Sequence, residues 1–174
     1  MRLTVEKVLE TDPCSSWTRE RIEALIAPRK YVLHGTALRD SRVPIDDRIW
    51  LGIALLDDSR RRLFACDCAE WSLGRERDAG HELDPRSWAA VEVARRYARG
   101  EATDEELTAA RAAAWAAAWA AAGNSARAAA WDSARNPART AARDSAWAAA
   151  RAAAWAAERS WQIERLITYL GAAS

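Results

Sequence analysis

Apolar positions along the chain recur at helical spacing almost throughout. Between Thr18 and Ala27, Ile22, Leu25 and Ile26 fall on one face, and Pro28 stops the pattern. Residues 28–44 are mixed, with His34-Gly35 and Pro44 as breakers, and read as a loop holding at most a short strand at Tyr31–Leu33. Ile45 to Leu56 is predicted helical, with Ile49, Trp50, Ile53 and Leu56 as its stripe. Ser59 to Leu73 is a third helix, with Leu63, Cys66, Ala69 and Leu73 on one side, and the polar run GRERDAGHEL reads as a loop. Asp84-Pro85 is a cap followed by Pro at the first helical position, and Gly100 is a stop, which predicts a helix over Pro85–Arg99. Thr103-Asp104-Glu105-Glu106 is a capping box. The helix it opens should run to Ala122 and end at Gly123-Asn124. A short helix is expected over Ser125–Arg135, and a last one from Pro137 to Leu170, striped by Ile163, Leu166, Ile167 and Leu170. The expected fold is all-α: a single-domain multi-helix bundle with long Ala/Trp/Arg-rich C-terminal helices. Its parts are an N-terminal helix and loop (1–44), a helical core (45–100) and an Ala-rich hairpin-like region (103–170).

Composition changes what such a core is made of. Half of the 174 residues count as apolar, but 42 of them are Ala, so close Ala contacts must be filled by a few large rings, ten Trp among them. From Arg111 to Arg159 every Arg and every Trp falls on one four-residue register: Arg111, Trp115, Trp119, Gly123, Arg127, Trp131, Arg135, Arg139, Arg143, Trp147, Arg151, Trp155, Arg159. Each four-residue step overshoots a helical turn by ~40°, so the register cannot be one face of one helix. Breaks at Gly123 and Pro137 divide it into short pieces. Each piece presents an Arg/Trp face opposite an Ala face. Two readings stay open. Single-nucleotide steps connect the Trp, Arg and Gly codons, so the register is either an expanded repeat whose Trp rings serve as core or a face selected for binding.

Charge narrows the partners. Net charge is +1, which gives the whole molecule no strong field for nucleic acid. Seven Arg against Asp132, Asp144 and Glu158 make the register stretch locally basic. Three cysteines (Cys14, Cys66 and Cys68) and a charged N-terminus without an apolar segment point to a reducing cytoplasm rather than a disulfide framework. Arg interrupts the Ala tract too often for a membrane span.

Candidate chemistry is sparse. Cys66 and Cys68 point ~200° apart on a helix and cannot grip one metal ion, so they read as small buried hydrophobes. His34 and His81 have no ligand-spaced partner. Arg60-Arg61-Arg62 reads as a solvated face, and Arg95, Arg96 and Arg99 sit at the favourable end of their helix. No catalytic constellation is present in the sequence, and the expectation is a non-enzyme without metal or cofactor. The binding residues expected are Arg135, Arg139 and Arg143 with Trp131 and Trp147 beside them, and Arg111, Trp115 and Trp119. Arg forks and Trp rings at the helix break of Asn136-Pro137 would suit an anion or nucleotide.

The segments DRIWLGIALLDDSRRRLFACDCAEWSL, PRSWAAVEVARRYARGEATDEELTAARAAAWAAAWAAA and AAWAAERSWQIERLITYL resemble an alanine-rich helical family of immunity proteins from bacterial toxin loci, and VLETDPCSSWTRERIEALI resembles phage and prophage members. The resemblance spans roughly Val8 to Leu170 and implies an all-helical, non-catalytic neutralising protein. Three functions follow as expectations. The first is sequestration of a toxin or effector protein. The second is a phage-encoded sponge for a nucleotide immune signal, its pocket built between chains of a homo-oligomer. The third is nucleic-acid binding, which near-neutral charge disfavours.

Overall fold

A computed structural model describes the backbone of residues 1–117 and 137–171, and the side chains of residues 1–117 and 152–171. The described chain is all-α apart from one two-stranded antiparallel ribbon. In order it comprises β1 (Arg2–Leu3), α1 (Val5–Leu9), α2 (Arg19–Ile26), β2 (Val32–Leu33), α3 (His34–Arg39), α4 (Ile45–Ala54), α5 (Asp58–Asp78) and α6 (Pro85–Ala98). Then come α7, helical over 104–117 in the described residues, and α8 (Pro137–Gly171). The expected helix over Ser125–Arg135 and the helix end expected at Gly123-Asn124 lie outside the described residues.

Local signals set most boundaries. Thr18 caps α2, its side chain accepting from the Arg21 N–H. Asp84 caps α6 in the same way from Arg86, with Pro85 at the first position. Thr103 and Glu106 form the reciprocal box that opens α7: the Glu106 N–H donates to Thr103 Oγ1 at 3.2 Å and the Thr103 N–H to Glu106 Oε2 at 2.8 Å. Gly100, at φ +78°, ends α6. Its N–H donates to Tyr97 O, and the Glu101 N–H donates to Arg96 O, the paired bonds of a left-handed helix stop.

Two expectations are corrected. The loop read over residues 28–44 contains a helix, α3, that begins at His34 itself. It forms because Leu38 is fully buried and because β2 delivers the chain to it, pairing Arg2 with Leu33 and Leu3 with Val32. Tertiary burial outweighs the local weakness of His-Gly. The polar run after Leu73 is helical through Asp78. Arg and Glu are good helix formers, and polarity alone breaks nothing. The stop comes at Gly80 (φ +83°), whose N–H donates to Arg77 O while the His81 N–H donates to Glu76 O.

The chain divides into two compact units, Met1–Phe64 with Glu158–Ser174, and Ala65–Ala157. In the first, Leu3, Ile22, Ile26, Leu38, Ile49, Leu56 and Phe64 are buried with Ile163, Leu166 and Leu170 from the end of α8. The C-terminal stripe thus closes the core of the N-terminal helices, reinforced by an edge-on contact of Phe64 with Tyr169 (centroids 6.4 Å apart). Arg39 forks onto Glu164, and Arg159 meets Asp46 at 2.8 Å. In the second unit Cys66, Val91, Ala98, Leu107 and Ala117 are buried. No described helix is long and apolar enough to cross a membrane.

Candidate functional site

Helix α7 shows how an Ala-rich piece disposes its two faces. Leu107 and Ala117 are buried and Ala110, Ala113 and Ala114 are half-buried, a line at helical spacing. Arg111 is exposed, and Trp115 keeps 68% of its surface in solvent. One line of α7, Leu107, Ala110, Ala113, Ala114 and Ala117, therefore faces inward, and Arg111 and Trp115 face out with Ala109, Ala112 and Ala116. Trp155, on α8 in the same unit, is 58% exposed. Of the two readings of the register, Trp as core does not describe these two rings. The last register member differs again: Arg159 is held by Asp46 and donates to Gln162 Oε1 at 3.3 Å, a structural position.

The other expected binding residues are located only in part. Arg139, Arg143 and Trp147 fall on the helical backbone of α8, with side chains outside the described set. Trp119, Trp131 and Arg135 lie outside the described residues altogether. The expected anion site around Asn136-Pro137 is therefore represented by the start of α8 alone.

A buried ionic cluster holds α5 to α6. Arg95 Nη1 donates to Asp67 Oδ1 at 2.8 Å and Nη2 to Glu70 Oε2 at 2.6 Å. Asp67 is only 5% exposed, and the Arg95 side chain 14%. Burial works against the Arg95 charge, but the hydrogen bond and charge of Asp67, with Glu70 beyond, hold the guanidinium still more firmly protonated. Cys66 lies beside this cluster. Burial pushes its thiol up, partly offset by Arg95, so it is a poor nucleophile. Cys66 is buried and Cys68 half-buried, and the described residues contain no group of three or more His, Cys, Asp and Glu side chains placed to hold a metal ion.

The first unit contains a cleft of about 400 Å³ that sequence spacing does not reveal. Its apolar walls come from β1, α2, β2 and α4, with Leu3, Ile22, Ile26 and Leu51 among them, and two Trp rings, Trp17 and Trp50, border it. Trp17 is fixed from two sides. Its Nε1–H donates to Asp47 Oδ2 at 3.2 Å, and the Arg21 guanidinium stacks 3.9 Å from its ring centroid. Arg42 donates to both oxygens of Asp40, from Nε at 2.9 Å and Nη2 at 2.5 Å, and reaches Leu25 O. The Arg42 hydrogen bond, despite opposing desolvation, holds the Asp40 carboxyl below the usual range, assisted by the charges of Arg42 and Arg48. Arg48 Nη1 donates to Leu38 O at 3.2 Å, while its Nε is buried without a hydrogen-bond partner. These residues come from segments that read as a helix stripe and a loop, so only the three-dimensional assembly brings them together. No family model, no curated protein and no solved structure matches the chain.

Proposed function

We propose that this is a non-catalytic binding protein that neutralises a toxin or defence effector protein by holding it, with the exposed register residues of the second unit as anchors. The observation that carries this reading is Trp115, 68% exposed on a helix whose Ala face is turned inward. Leaving a Trp ring in water forgoes on the order of 3 kcal/mol of apolar burial. A fold with Ala available at every neighbouring position has no structural need for that exposure. Trp and Arg dominate the few residues that carry binding energy at protein interfaces. Arg111, one turn before Trp115, adds a guanidinium on the same side of the helix. The resemblance to immunity proteins supports the same reading, as does a net charge of +1, too small to favour a polyanion.

The test compares the wild-type protein with a Trp115→Ala/Trp155→Ala double variant, each recovered from its native cells and weighed by native mass spectrometry. The expected result is a protein partner at fixed stoichiometry with the wild type and its loss from the variant, with helix content unchanged by circular dichroism. A nucleotide released on denaturation, or a nucleic acid in place of a protein partner, would count against this reading and for the other two.

A further inference from the structure

We propose that the cleft of the first unit is a binding site for a small monoanion with a flat apolar body, in chemical class an aromatic carboxylate. The inference is independent of the function proposed for the second unit, because every lining residue lies between Leu3 and Leu51.

Size and preformation come first. About 400 Å³ lies within the range of small-molecule sites, which are concave, mostly apolar and carry a few placed polar groups. Leu3, Ile22 and Ile26 line the cleft and are also buried core residues, so the wall is held by the fold itself. Trp17 cannot swing into the space without breaking its bond to Asp47 and leaving the stacked Arg21. Trp50 is 39% exposed, which leaves ring surface open for an occupant to cover. Two indoles on the border favour a flat body.

Charge decides the head group. Arg29, Arg42 and Arg48 line the cleft against Asp40 and Asp47, which leaves one positive charge in excess. Asp40 is fully engaged, and Asp47 only by a neutral donor. Asp40 has both oxygens on Arg42, and Asp47 accepts from Trp17. The arginines are not equally engaged. Arg48 has one bond to a neutral carbonyl, and neither it nor Arg29 forms an ion pair among the described residues. A cationic ligand would meet Asp47 as the one lining carboxylate outside an ion pair, against two guanidinium groups in the same condition. An anionic one would meet two guanidinium groups whose charge no direct partner offsets, and a carboxylate matches their fork. A dianion would exceed the local excess. The buried Nε of Arg48 is the atom an occupant's oxygen would satisfy through a small shift of the guanidinium.

The experiment uses three ligands with one ring system: 2-naphthylacetate, its neutral amide and 2-(2-naphthyl)ethylamine. Each is titrated by calorimetry and by ¹H–¹⁵N NMR against the full chain. The carboxylate is expected to bind about tenfold tighter than the amide, with the amine weakest. The indole N–H signals of Trp17 and Trp50 should shift while that of Trp115 stays still. Arg48→Gln should weaken carboxylate binding about tenfold and leave amide binding nearly unchanged. Should Arg48→Gln fail to fold, Arg29→Gln on the exposed rim decides instead, with an expected loss of about threefold. Equal affinity for the three ligands, no binding by any of them, shifts at Trp115 in place of Trp17 and Trp50, or carboxylate affinity unchanged in the folded Arg variant would each overturn the assignment.

Discussion

Gly52 in α4 has no space for a methyl group. A Cβ there would lie 2.7 Å from Leu166 Cδ1 and 3.3 Å from two further Leu166 atoms, and Leu166 is fully buried. Gly52→Ala is therefore expected to destabilise the protein by roughly 1–2 kcal/mol, the overpacking cost exceeding the helix propensity that Ala brings. Gly74 in α5 supplies the opposite case. Nothing lies within 4 Å of its Cβ position, and Gly74→Ala should stabilise by about 0.5–1 kcal/mol, read with Gly52→Ala as opposite shifts of the urea midpoint. At Asp67 the effect is electrostatic. Asp67→Ala strands Arg95 in a mostly buried position with only Glu70 left, so a loss of about 3 kcal/mol is expected. Asp84 gives a pH signature. Its carboxyl titrates at about 2 against an ordinary 3.8, because the Arg86 side chain and N–H donate to it. The folded value is the lower one, so its contribution is present above pH 3.8 and lost as pH falls towards 2. Helicity followed by circular dichroism over that window should fall less steeply in Asp84→Asn, which keeps a capping oxygen but not the charge.

At the scale of elements, short-range chemistry was legible and long-range pairing was not. The starts of α2, α6 and α7 and the end of α6 follow from Thr18, Asp84-Pro85, Thr103 with Glu106, and Gly100, because a cap needs only its own turn. Thr103→Ala should cost about 1 kcal/mol, read as a lower urea midpoint, since it removes the acceptor for the Glu106 N–H. By contrast, α3 and the β1–β2 ribbon depend on partners about thirty residues away, Leu3 beside Val32 and Arg2 beside Leu33. Nothing within residues 28–44 announces those partners. The extension of α5 through Arg75, Glu76 and Arg77 hid behind a different assumption, that a charged run is a loop. The cleft was illegible for the first reason. Trp17, Asp40, Asp47 and Arg48 come from the approach to α2, the end of α3 and the start of α4, and only the folded unit makes them neighbours.

At the scale of the molecule, the all-α class follows from the helical spacing that runs through most of the sequence, and α8 extends over Pro137–Gly171 against an expected Pro137–Leu170. The Ala-rich register is where composition could not choose between core and surface. On α7 the choice follows from volume: Ala110, Ala113, Ala114 and Ala117 make the inward line, and a residue as large as Trp115 lies outside it. Replacing Trp115 by Ala should therefore change stability by no more than about 0.5 kcal/mol, as expected for a surface position. A core role for that ring would cost several times more. The measurement that tests the account most directly is native mass spectrometry of the protein drawn from its own cells, wild type beside the Trp115→Ala/Trp155→Ala variant. The wild type should form a protein complex of fixed stoichiometry that the folded variant no longer forms. A folded variant that keeps the same partner at the same stoichiometry would contradict it.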